Sequence, residues 1–374
     1  MASGPRDVVI VGGGIVGCLT AYLLAGQGLK VTLLEADALG SHASGFAFGE
    51  MGATEGAGIP DPLLDFSIWS LQRHITLATE LKQVSGVDNL HQVCGRLKLA
   101  FSDVEARSYK QELVWQQKVK ELQVDWLEPP DVVKLEPRAN PGCIGATYVQ
   151  GAGSVEPYRY TLAAGQAAER TGVEIMLRRA TGLITQGDRC LGVNLENGRI
   201  EADVVVLAMG PWSAEASNWC QATIPISPLK GQILRLQHSG DPVKTSIHYG
   251  GSYVVGKPDG LTWVGTTEET VGFDETPTTE ARDKIMRDLL TMAPSMSDAR
   301  LVQQTACLRP LSSDGLPIVG KVPGWQNLYL GTGAGRKGIL WSTGMCHGLA
   351  DLIVKGATDV PGVAALDPAR FGGD

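Results

Sequence analysis

The chain has 374 residues, of which 43% are hydrophobic and 19% are charged, a composition typical of a soluble globular protein. This length is enough for two domains, each with its own core. The net charge is −8 and no basic segment with interleaved aromatic residues occurs, which argues against nucleic acid as a partner. No apolar run approaches the roughly 18 residues that suggest a membrane-spanning helix.

The seven cysteines are scattered and include no C-x-x-C pair, so the sequence predicts neither a metal site nor a disulfide framework. The first residues, MASGPRDVVIVGGG, lack the charged start and apolar centre of a signal peptide. Together these features predict a protein of the reducing cytoplasm. The oligomeric state stays open, and a homo-oligomer is compatible with the sequence.

The first predicted unit is a strand, a glycine-rich turn, a helix and a second strand. Asp7–Val11 is a short apolar run, and the glycine motif G-G-G-I-V-G follows it directly. Residues 18–26 have the pattern of a packed helix, and residues 30–34 form the next strand, which ends at Glu35. This order of elements is the context in which a G-x-G-x-x-G motif binds a dinucleotide.

Each glycine of the motif has its own physical task. Gly12 permits the tight turn, Gly14 lets a pyrophosphate approach the backbone, and Gly17 lets the helix pack closely on the strand. The helix N-terminus presents free N–H groups and a positive dipole end to the phosphates. Glu35 is expected to accept hydrogen bonds from ribose hydroxyls. The predicted dinucleotide site also includes Ile15, Val16 and Ala36.

The later elements alternate between helices and short strands. Helices are predicted at residues 63–82, around 105–122, after the Glu-Pro at 156–157, and at 279–292. Strands are predicted at 95–101, 173–177, 182–185, 192–195 and 204–208. Asn197-Gly198 and Pro258-Asp259-Gly260 are hairpin turn signals, and residues 225–305 are otherwise expected to form antiparallel strands.

Four further segments carry a family resemblance. They are LGSHASGFAFGEMGA (39–53), ADVVVLAMGPWS (202–213), TACLRPLSSDGLPIVG (305–320) and LGTGAGRKGIL (330–340). In this order they resemble the flavin loop, the second flavin motif, the L-R-P-x-x-x-D-G-x-P-x-x-G segment and the C-terminal glycine loop of the D-amino-acid oxidase and glycine oxidase superfamily. The sequence departs from that pattern at Phe46, Phe48, Met209 and Gly256, where smaller residues or a proline are usual.

The resemblance implies FAD as the cofactor and a two-domain α/β fold. A discontinuous Rossmann-like FAD-binding domain is expected from residues 1–80, 150–222 and 306–374, and a mixed-sheet α+β substrate domain from residues 81–149 and 223–305. Besides the residues of the glycine motif, the expected cofactor contacts are Ser44, Gly45, Gly49, Glu50, Met51, Ala180, Ala208, Gly210, Trp212, Arg309, Gly335, Arg336, Lys337, Gly338 and Ile339.

The same resemblance suggests which side chains hold the substrate. Arg309 matches the family's carboxylate-binding arginine, and a guanidinium can bind a carboxylate with two parallel hydrogen bonds. The alternative is an arginine that holds a local turn with Asp314. Tyr253 matches a tyrosine over the substrate, and His248 lies just upstream. Each of these two could instead be an ordinary packing residue.

Two cations and one thiol complete the expected site. Arg336 and Lys337 are expected beside the flavin, where a cation stabilises the reduced anionic form. Related sarcosine oxidases attach flavin through a cysteine in a comparable segment, and Cys307 lies near that position. Sequences with the L-R-P pattern generally bind FAD without a covalent bond, so a non-covalent FAD is the prediction and a bond to Cys307 is the alternative.

The predicted activity is oxidation of the Cα–N bond of a small amino acid or amine, such as glycine, sarcosine or a D-amino acid. Hydride transfer to flavin N5 would give an imine that hydrolyses, and oxygen or another acceptor would reoxidise the flavin. One alternative is oxidation of a hydroxylated substrate, such as glycerol-3-phosphate or a 2-hydroxy acid. Another is a non-enzymatic flavoprotein subunit. Phe46 and Phe48 suggest a small substrate.

Overall fold

The computed structural model describes residues 7–372. The helices within that range are α1 (Ile15–Gly26), α2 (Ala43–Phe46), α3 (Leu64–Ser85), α4 (Asp103–Gln116), α5 (Pro129–Leu135), α6 (Pro157–Arg170), α7 (Ser217–Cys220), α8 (Thr279–Met292) and α9 (Gly338–Lys355).

The strands of the same range are short, apart from two long antiparallel partners. They are β1 (Asp7–Val11), β2 (Lys30–Glu35), β3 (Glu50–Met51), β4 (Gln92–Val93), β5 (Arg96–Ala100), β6 (Val124–Leu127), β7 (Gly145–Val149), β8 (Gly153–Ser154), β9 (Glu174–Leu177), β10 (Ala180–Gln186), β11 (Arg189–Leu195), β12 (Arg199–Glu201), β13 (Val204–Leu207), β14 (Ile226–Gln237), β15 (Ser246–Tyr249), β16 (Ser252–Gly256), β17 (Thr262–Gly265), β18 (Arg300–Ser312), β19 (Ile318–Lys321) and β20 (Leu328–Thr332).

One sheet carries the glycine motif. Its order is β19-β20-β13-β1-β2-β9, and all neighbours are parallel except β19 and β20. Its central strands are buried on both faces, which is why they are continuous apolar runs. Val8 and Ile10 of β1 pack with helices α1, α6 and α9. Val9 and Val11 face the other side, in one cluster with buried residues of the small sheet β10-β11-β12.

A second, larger sheet has the order β18-β14-β17-β16-β15-β5-β7-β6. Its neighbours are antiparallel, except that β5 and β15 run parallel. Helix α8 packs on it through Ile285, Leu289 and Met292. The strand–turn–helix–strand unit at the start, the α/β class and the mixed second sheet are therefore as the sequence predicted.

Strand β18 crosses one predicted domain boundary. The sequence assigned residues 306–374 to the FAD-binding domain, but residues 306–312 continue the strand that pairs with β14. The pairing places Cys307 opposite Gly231 and Arg309 opposite Leu229. Arg309 therefore belongs to the larger sheet, which the sequence assigned to the substrate domain. The division into two domains otherwise stays a prediction.

One helix is shorter than predicted. Helix α4 begins after Ser102, whose side chain accepts from the backbone N–H of Glu105 while the Glu105 carboxylate accepts from the N–H of Ser102. It ends at Gln116, before the predicted residue 122, because the chain turns there towards β6. No helix within residues 7–372 is long and apolar enough to cross a membrane.

Candidate active site

Two adjoining cavities lie where the two sheets meet. The larger has a volume of about 630 Å³ and the smaller about 170 Å³. Gly14, Ser44, Ala208 and Gly210 line both, so the cavities meet beside the N-terminus of α1. A long two-part ligand would fit this arrangement, with one end in each cavity.

The smaller cavity contains the acidic end of β2. Glu35 Oε2 accepts from the N–H of Gly13 at 2.6 Å, and Oε1 accepts from the N–H of Asp37 at 2.8 Å. These two bonds hold the carboxylate against the glycine turn. Of the predicted cofactor residues, those lining the smaller cavity are Gly12, Gly14, Glu35, Ala36, Ser44, Ala180, Ala208, Gly210 and Trp212.

The glycine turn leaves no room for side chains at two positions. Gly12 has a φ of +113°, and a Cβ added there would lie 2.2 Å from the carbonyl oxygen of Ala208. A Cβ on Gly17 would lie 1.8 Å from the carbonyl oxygen of Gly12. Gly14 precedes α1 without a side-chain cap, while Ser44 Oγ accepts from the N–H of Ile15 at 3.0 Å. This tight helix start, whose N-cap residue has no side chain, suits the predicted FAD pyrophosphate.

The larger cavity is lined by several cations, and most of them are paired with acids. Arg96 Nη1 lies 2.9 Å from Glu55 Oε1, and Lys98 lies 3.6 Å from Glu55 Oε2. The Arg96 guanidinium, together with the other nearby cations, holds the pKa of Glu55 well below its usual range despite burial. Arg336 forms a two-bond ion pair with Glu268.

Arg309 is different, because its partners are neutral. Its Nη2 donates to Thr266 Oγ1 at 2.7 Å and its Nη1 to the carbonyl of Thr267 at 3.2 Å. No carboxylate within residues 7–372 forms an ion pair with it. Asp314 instead pairs with Arg370 at 2.8 Å, so the alternative turn-holding role for Arg309 with Asp314 is wrong. Arg309 is thus a cation on the wall of the larger cavity with capacity for an anion.

Tyr253 lies on the same wall as Arg309. Burial raises the pKa of Tyr253 to about 12, although the charge of Arg309 opposes this shift, so the phenol stays protonated and can donate a hydrogen bond. Its ring contacts Phe48 with a centroid distance of 4.0 Å. Phe46 and Phe48 both line the larger cavity, which narrows the space in front of the phenol.

His248 is the cross-strand partner of Tyr253, with ring centroids 5.4 Å apart. It lies in the larger cavity, and its Nε2 is 2.8 Å from Glu50 Oε1 and 2.8 Å from Ser246 Oγ. Burial alone would raise the pKa of Glu50, but the contact with His248 and the charge of Arg96 outweigh it, and the pKa lies below its usual value. The carboxylate is therefore ionised.

The predicted C-terminal glycine loop also lines the larger cavity. Lys337 Nζ donates to the carbonyl of Gly52 at 2.6 Å, and burial lowers the pKa of Lys337 to about 8. Of the predicted cofactor residues, those lining this cavity are Gly14, Ile15, Val16, Ser44, Gly49, Glu50, Ala208, Gly210, Arg309, Gly335, Arg336, Lys337, Gly338 and Ile339.

Three predicted cofactor residues line neither cavity. Gly17 is packed under the glycine turn, and a Cβ on Gly45 would lie 2.0 Å from the carbonyl oxygen of Gly40. Met51 is fully buried in the hydrophobic core of the first sheet. Gly17 and Gly45 allow close backbone packing, and Met51 fills the core. Their contact with the cofactor stays a prediction.

The sequence interpretation did not select Glu55, Arg96, Lys98 and Glu268 as site residues. Arg96 and Lys98 alternate with leucines in the RLKLA run, so they point to one face of β5. This alternation was a usable signal. Nothing in the sequence indicated that Glu55 and Glu268 would pair with cations on distant segments.

A phosphate substrate would need clustered cations, and four basic residues between positions 230 and 257 lie away from the larger cavity. Lys230 is buried against Asp274, and Arg235 lies over the ring of Trp263. Lys244 is exposed. None of these, nor Lys257, lines the larger cavity. The structure does not gather them into a phosphate site.

Lys257 is a buried lysine without an acidic partner at ion-pair distance within residues 7–372. It is only 5% exposed, its Nζ donates to the carbonyl of Val155 at 2.8 Å, and it lies 5.5 Å and 5.0 Å from the ring centroids of Phe48 and Trp263. Burial lowers the pKa of Lys257 from 10.5 to about 8.

This burial makes stability depend on pH. Between the folded pKa of about 8 and the unfolded value of 10.5, the unfolded chain binds a proton that the folded chain has released. The free energy of unfolding therefore rises with pH across this window. We expect the free energy of unfolding of Lys257→Met, measured with urea at several pH values, to lack this rise. The exposed control Lys244→Met should follow the wild type. If the free energy of unfolding rose equally with pH in the wild type and in Lys257→Met, the expectation would be contradicted.

Comparison with known proteins shows the family of this chain. The model of the DAO family, described as FAD dependent oxidoreductase, matches residues 7–352. The chain is 31% identical to a glycine oxidase of Pseudomonas aeruginosa over 380 residues, covering 97% of each protein. The solved glycine oxidase of Geobacillus kaustophilus has a TM-score of 0.93 at 25% identity, covering 98% of this chain and 100% of that chain. The chain belongs to the DAO family of FAD-dependent oxidoreductases and is an FAD-dependent enzyme.

Proposed function

We propose that this enzyme oxidises the Cα–N bond of a small amino acid or amine, such as glycine, sarcosine or a D-amino acid, to an imine that water hydrolyses. The observation that carries the proposal is Arg309, a cavity-lining guanidinium whose partners, Thr266 and Thr267, are neutral. A substrate carboxylate would supply the missing negative charge. The glycine oxidases among its relatives support the same substrate class.

Two groups of residues would bind the two parts of FAD. The glycine turn, the N-terminus of α1 and Glu35 would hold the ADP part of FAD in and beside the smaller cavity. The loop 335–339 would hold the ring system in the larger cavity, with Lys337 as the cation beside it. When bound, FAD supplies the acceptor for the hydride that leaves the substrate Cα.

The substrate would be oriented by two groups on one wall. Arg309 would bind the carboxylate through two N–H groups, and the protonated phenol of Tyr253 would donate a third hydrogen bond. Phe46 and Phe48 would limit the size of the substrate side chain and exclude water. Catalysis would then depend mainly on orientation of the Cα–H bond.

Oxidation of a hydroxyl group is the second candidate, and one observation favours it. The pair of His248 and Glu50 in the cavity resembles a base that could remove a hydroxyl proton. A phosphorylated alcohol is less suited than a 2-hydroxy acid, since Arg309 offers a carboxylate site and no cluster of free cations lies beside it in the described chain.

The deciding experiment is anaerobic reduction of the purified yellow protein. Glycine, sarcosine, L-proline, D- and L-amino acids, a 2-hydroxy acid and glycerol-3-phosphate would each be added, and the oxidised-flavin absorbance near ~450 nm followed. Bleaching by an amine supports the proposal, and bleaching only by a hydroxylated compound overturns it. Recovery of colour with peroxide on admission of air identifies an oxidase. Slow recovery identifies a dehydrogenase that uses another acceptor.

The flavin is expected to be non-covalent. Cys307 is buried, and its thiol lies 3.8 Å from the carbonyl of Phe46, to which it can donate. Burial raises the pKa of Cys307. Acid precipitation should therefore release FAD into the supernatant, and Cys307→Ser should keep its yellow colour. Flavin that stays with the precipitated wild type but not with Cys307→Ser would show a bond to this thiol.

A further inference from the structure

The larger cavity contains a buried carboxylate–imidazole pair that hydride transfer itself does not need. The side chains of His248 and Glu50 are 11% and 12% exposed, and the two atoms that join them, Nε2 and Oε1, are 2.8 Å apart. They come from strands β15 and β3, which are distant in sequence. Two titratable groups that line a substrate cavity in direct contact are a place where protons can be held.

The hydrogen bonds fix which nitrogen carries the proton. The Ser246 hydroxyl donates to Glu50 Oε1 at 3.0 Å, so its oxygen can only accept from His248. The ionised Glu50 can also only accept. Nε2 of His248 must therefore be the protonated nitrogen. Nδ1, which has no hydrogen-bond partner among residues 7–372, carries the lone pair in the neutral ring.

Other charged groups surround the pair from neighbouring strands. Lys98 on β5 is the cross-strand partner of His248, and Arg96 lies two residues earlier on the same strand. Both cations are paired with Glu55. Tyr253 faces the ring from β16 and stays protonated. Among residues 7–372, Glu50 is the one acid in direct contact with the ring.

We propose that Nδ1 of His248 accepts the proton of the substrate ammonium group, with Glu50 and Ser246 holding the ring in the required tautomer. The inference rests on the proposed amine oxidation. The ammonium N–H bond breaks and its electron pair stays on the substrate nitrogen. The proton moves to Nδ1, and Glu50 balances the imidazolium charge. The freed lone pair then forms the C=N bond of the imine as the hydride departs from Cα.

This proton transfer would solve a specific problem of the reaction. A free amino acid carries a protonated amine at neutral pH, and an ammonium group has no lone pair to form the imine. Arg309 binds the carboxylate but cannot take a proton, because a guanidinium stays charged. An imidazole titrates close to neutral pH and can take it. The enzyme would thus accept the abundant zwitterionic form of the substrate.

The test is the pH dependence of anaerobic flavin bleaching by the amine that reduces the wild type. We expect His248→Gln to be about 100-fold slower than wild type near neutral pH. Its rate should recover about tenfold per pH unit as the substrate's own ammonium group deprotonates. Glu50→Gln should shift the profile in the same direction by less, since its amide can still accept from Nε2. His238→Gln, outside the cavity, should follow the wild type.

Two controls separate this role from a structural one. Acetate has a carboxylate and no ammonium proton, so its affinity, measured by perturbation of the flavin spectrum, should be the same in wild type and His248→Gln. If the variants bleached the flavin more slowly than the wild type by the same factor at every pH, the proposed proton transfer would be overturned and the amine oxidation would remain. Failure of every amine to bleach the wild type would overturn both. If His248→Gln loses acetate binding, the pH profile of Glu50→Gln becomes the test. A shift of that profile towards higher pH supports the proposal, and a loss that is equal at every pH overturns it.

Discussion

Arg309→Leu is expected to lower kcat/KM for the amino-acid substrate by about 1,000-fold, which is within the range for truncating one partner of a buried charge pair. The variant leaves the substrate carboxylate in a cavity without its guanidinium, and it also leaves Thr266 Oγ1 and the carbonyl of Thr267 without their donor. FAD should still bind, because the residues expected to hold its ADP part lie on the other sheet.

The measurement compares amino acids with a carboxylate-free amine, such as methylamine, in the same anaerobic assay. With methylamine, Arg309→Leu should react at the same rate as the wild type, since methylamine has no carboxylate for the guanidinium to bind. Arg309→Lys should recover only part of the activity, because an ammonium cannot make two parallel hydrogen bonds. Arg235→Lys is the matched control, with its guanidinium over the ring of Trp263 and outside the cavity. Equal losses for both kinds of substrate would remove the carboxylate role from Arg309.

The start of the fold was predictable because its signals are local. An apolar β-branched run, the glycine motif and a helix pattern within residues 7–35 predicted β1, α1 and β2, and the structure has them in that order. The steric need for Gly17 is equally local, because a Cβ there would meet the carbonyl oxygen of Gly12. Short-range patterns of this kind require no knowledge of the rest of the chain.

The placement of the candidate site was less predictable, because it depends on pairings between distant strands. Arg309 was expected within the FAD-binding domain, and nothing local shows that β18 continues past residue 306 beside β14. The hydrogen bond between His248 and Glu50 joins residues 198 positions apart. Its two members were selected for separate reasons, one as a catalytic residue and one as a cofactor contact, and only the fold shows them as a unit.

The charge balance of the cavity was also beyond sequence reasoning. Arg336 was expected to face the flavin as a free cation, but Glu268 pairs with it. Among residues 7–372, the hydrogen-bond partner of Lys337 Nζ is the carbonyl of Gly52 alone. The adjacent cations of one short loop therefore differ in available charge, and Lys337 is the better candidate to stabilise a reduced flavin. Which cation is free depends on where the acids fold, and the motif does not encode that.

Gly17→Ala is expected to produce a largely flavin-free protein. The new Cβ would lie 1.8 Å from the carbonyl oxygen of Gly12, so α1 and the glycine turn must move apart. Overpacking of this kind typically destabilises by about 1–3 kcal/mol. The same movement displaces the helix N-terminus from the expected pyrophosphate position, so FAD affinity should fall at least about tenfold. The ratio of flavin to protein absorbance and the thermal unfolding midpoint, each with and without added FAD, would measure both effects.

Gly26→Ala provides a control within the same helix. Gly26 is the last residue of α1 and is exposed, and a Cβ added there meets no atom within 4 Å. Alanine favours the helix relative to glycine by roughly 0.5–1 kcal/mol, so this variant should be as stable as wild type or slightly more stable, with full flavin content. If Gly17→Ala also retained its flavin, the close contact of α1 with the glycine turn would not be what positions the cofactor. If both variants lost flavin, the loss would reflect general sensitivity of α1 rather than the packing at Gly17.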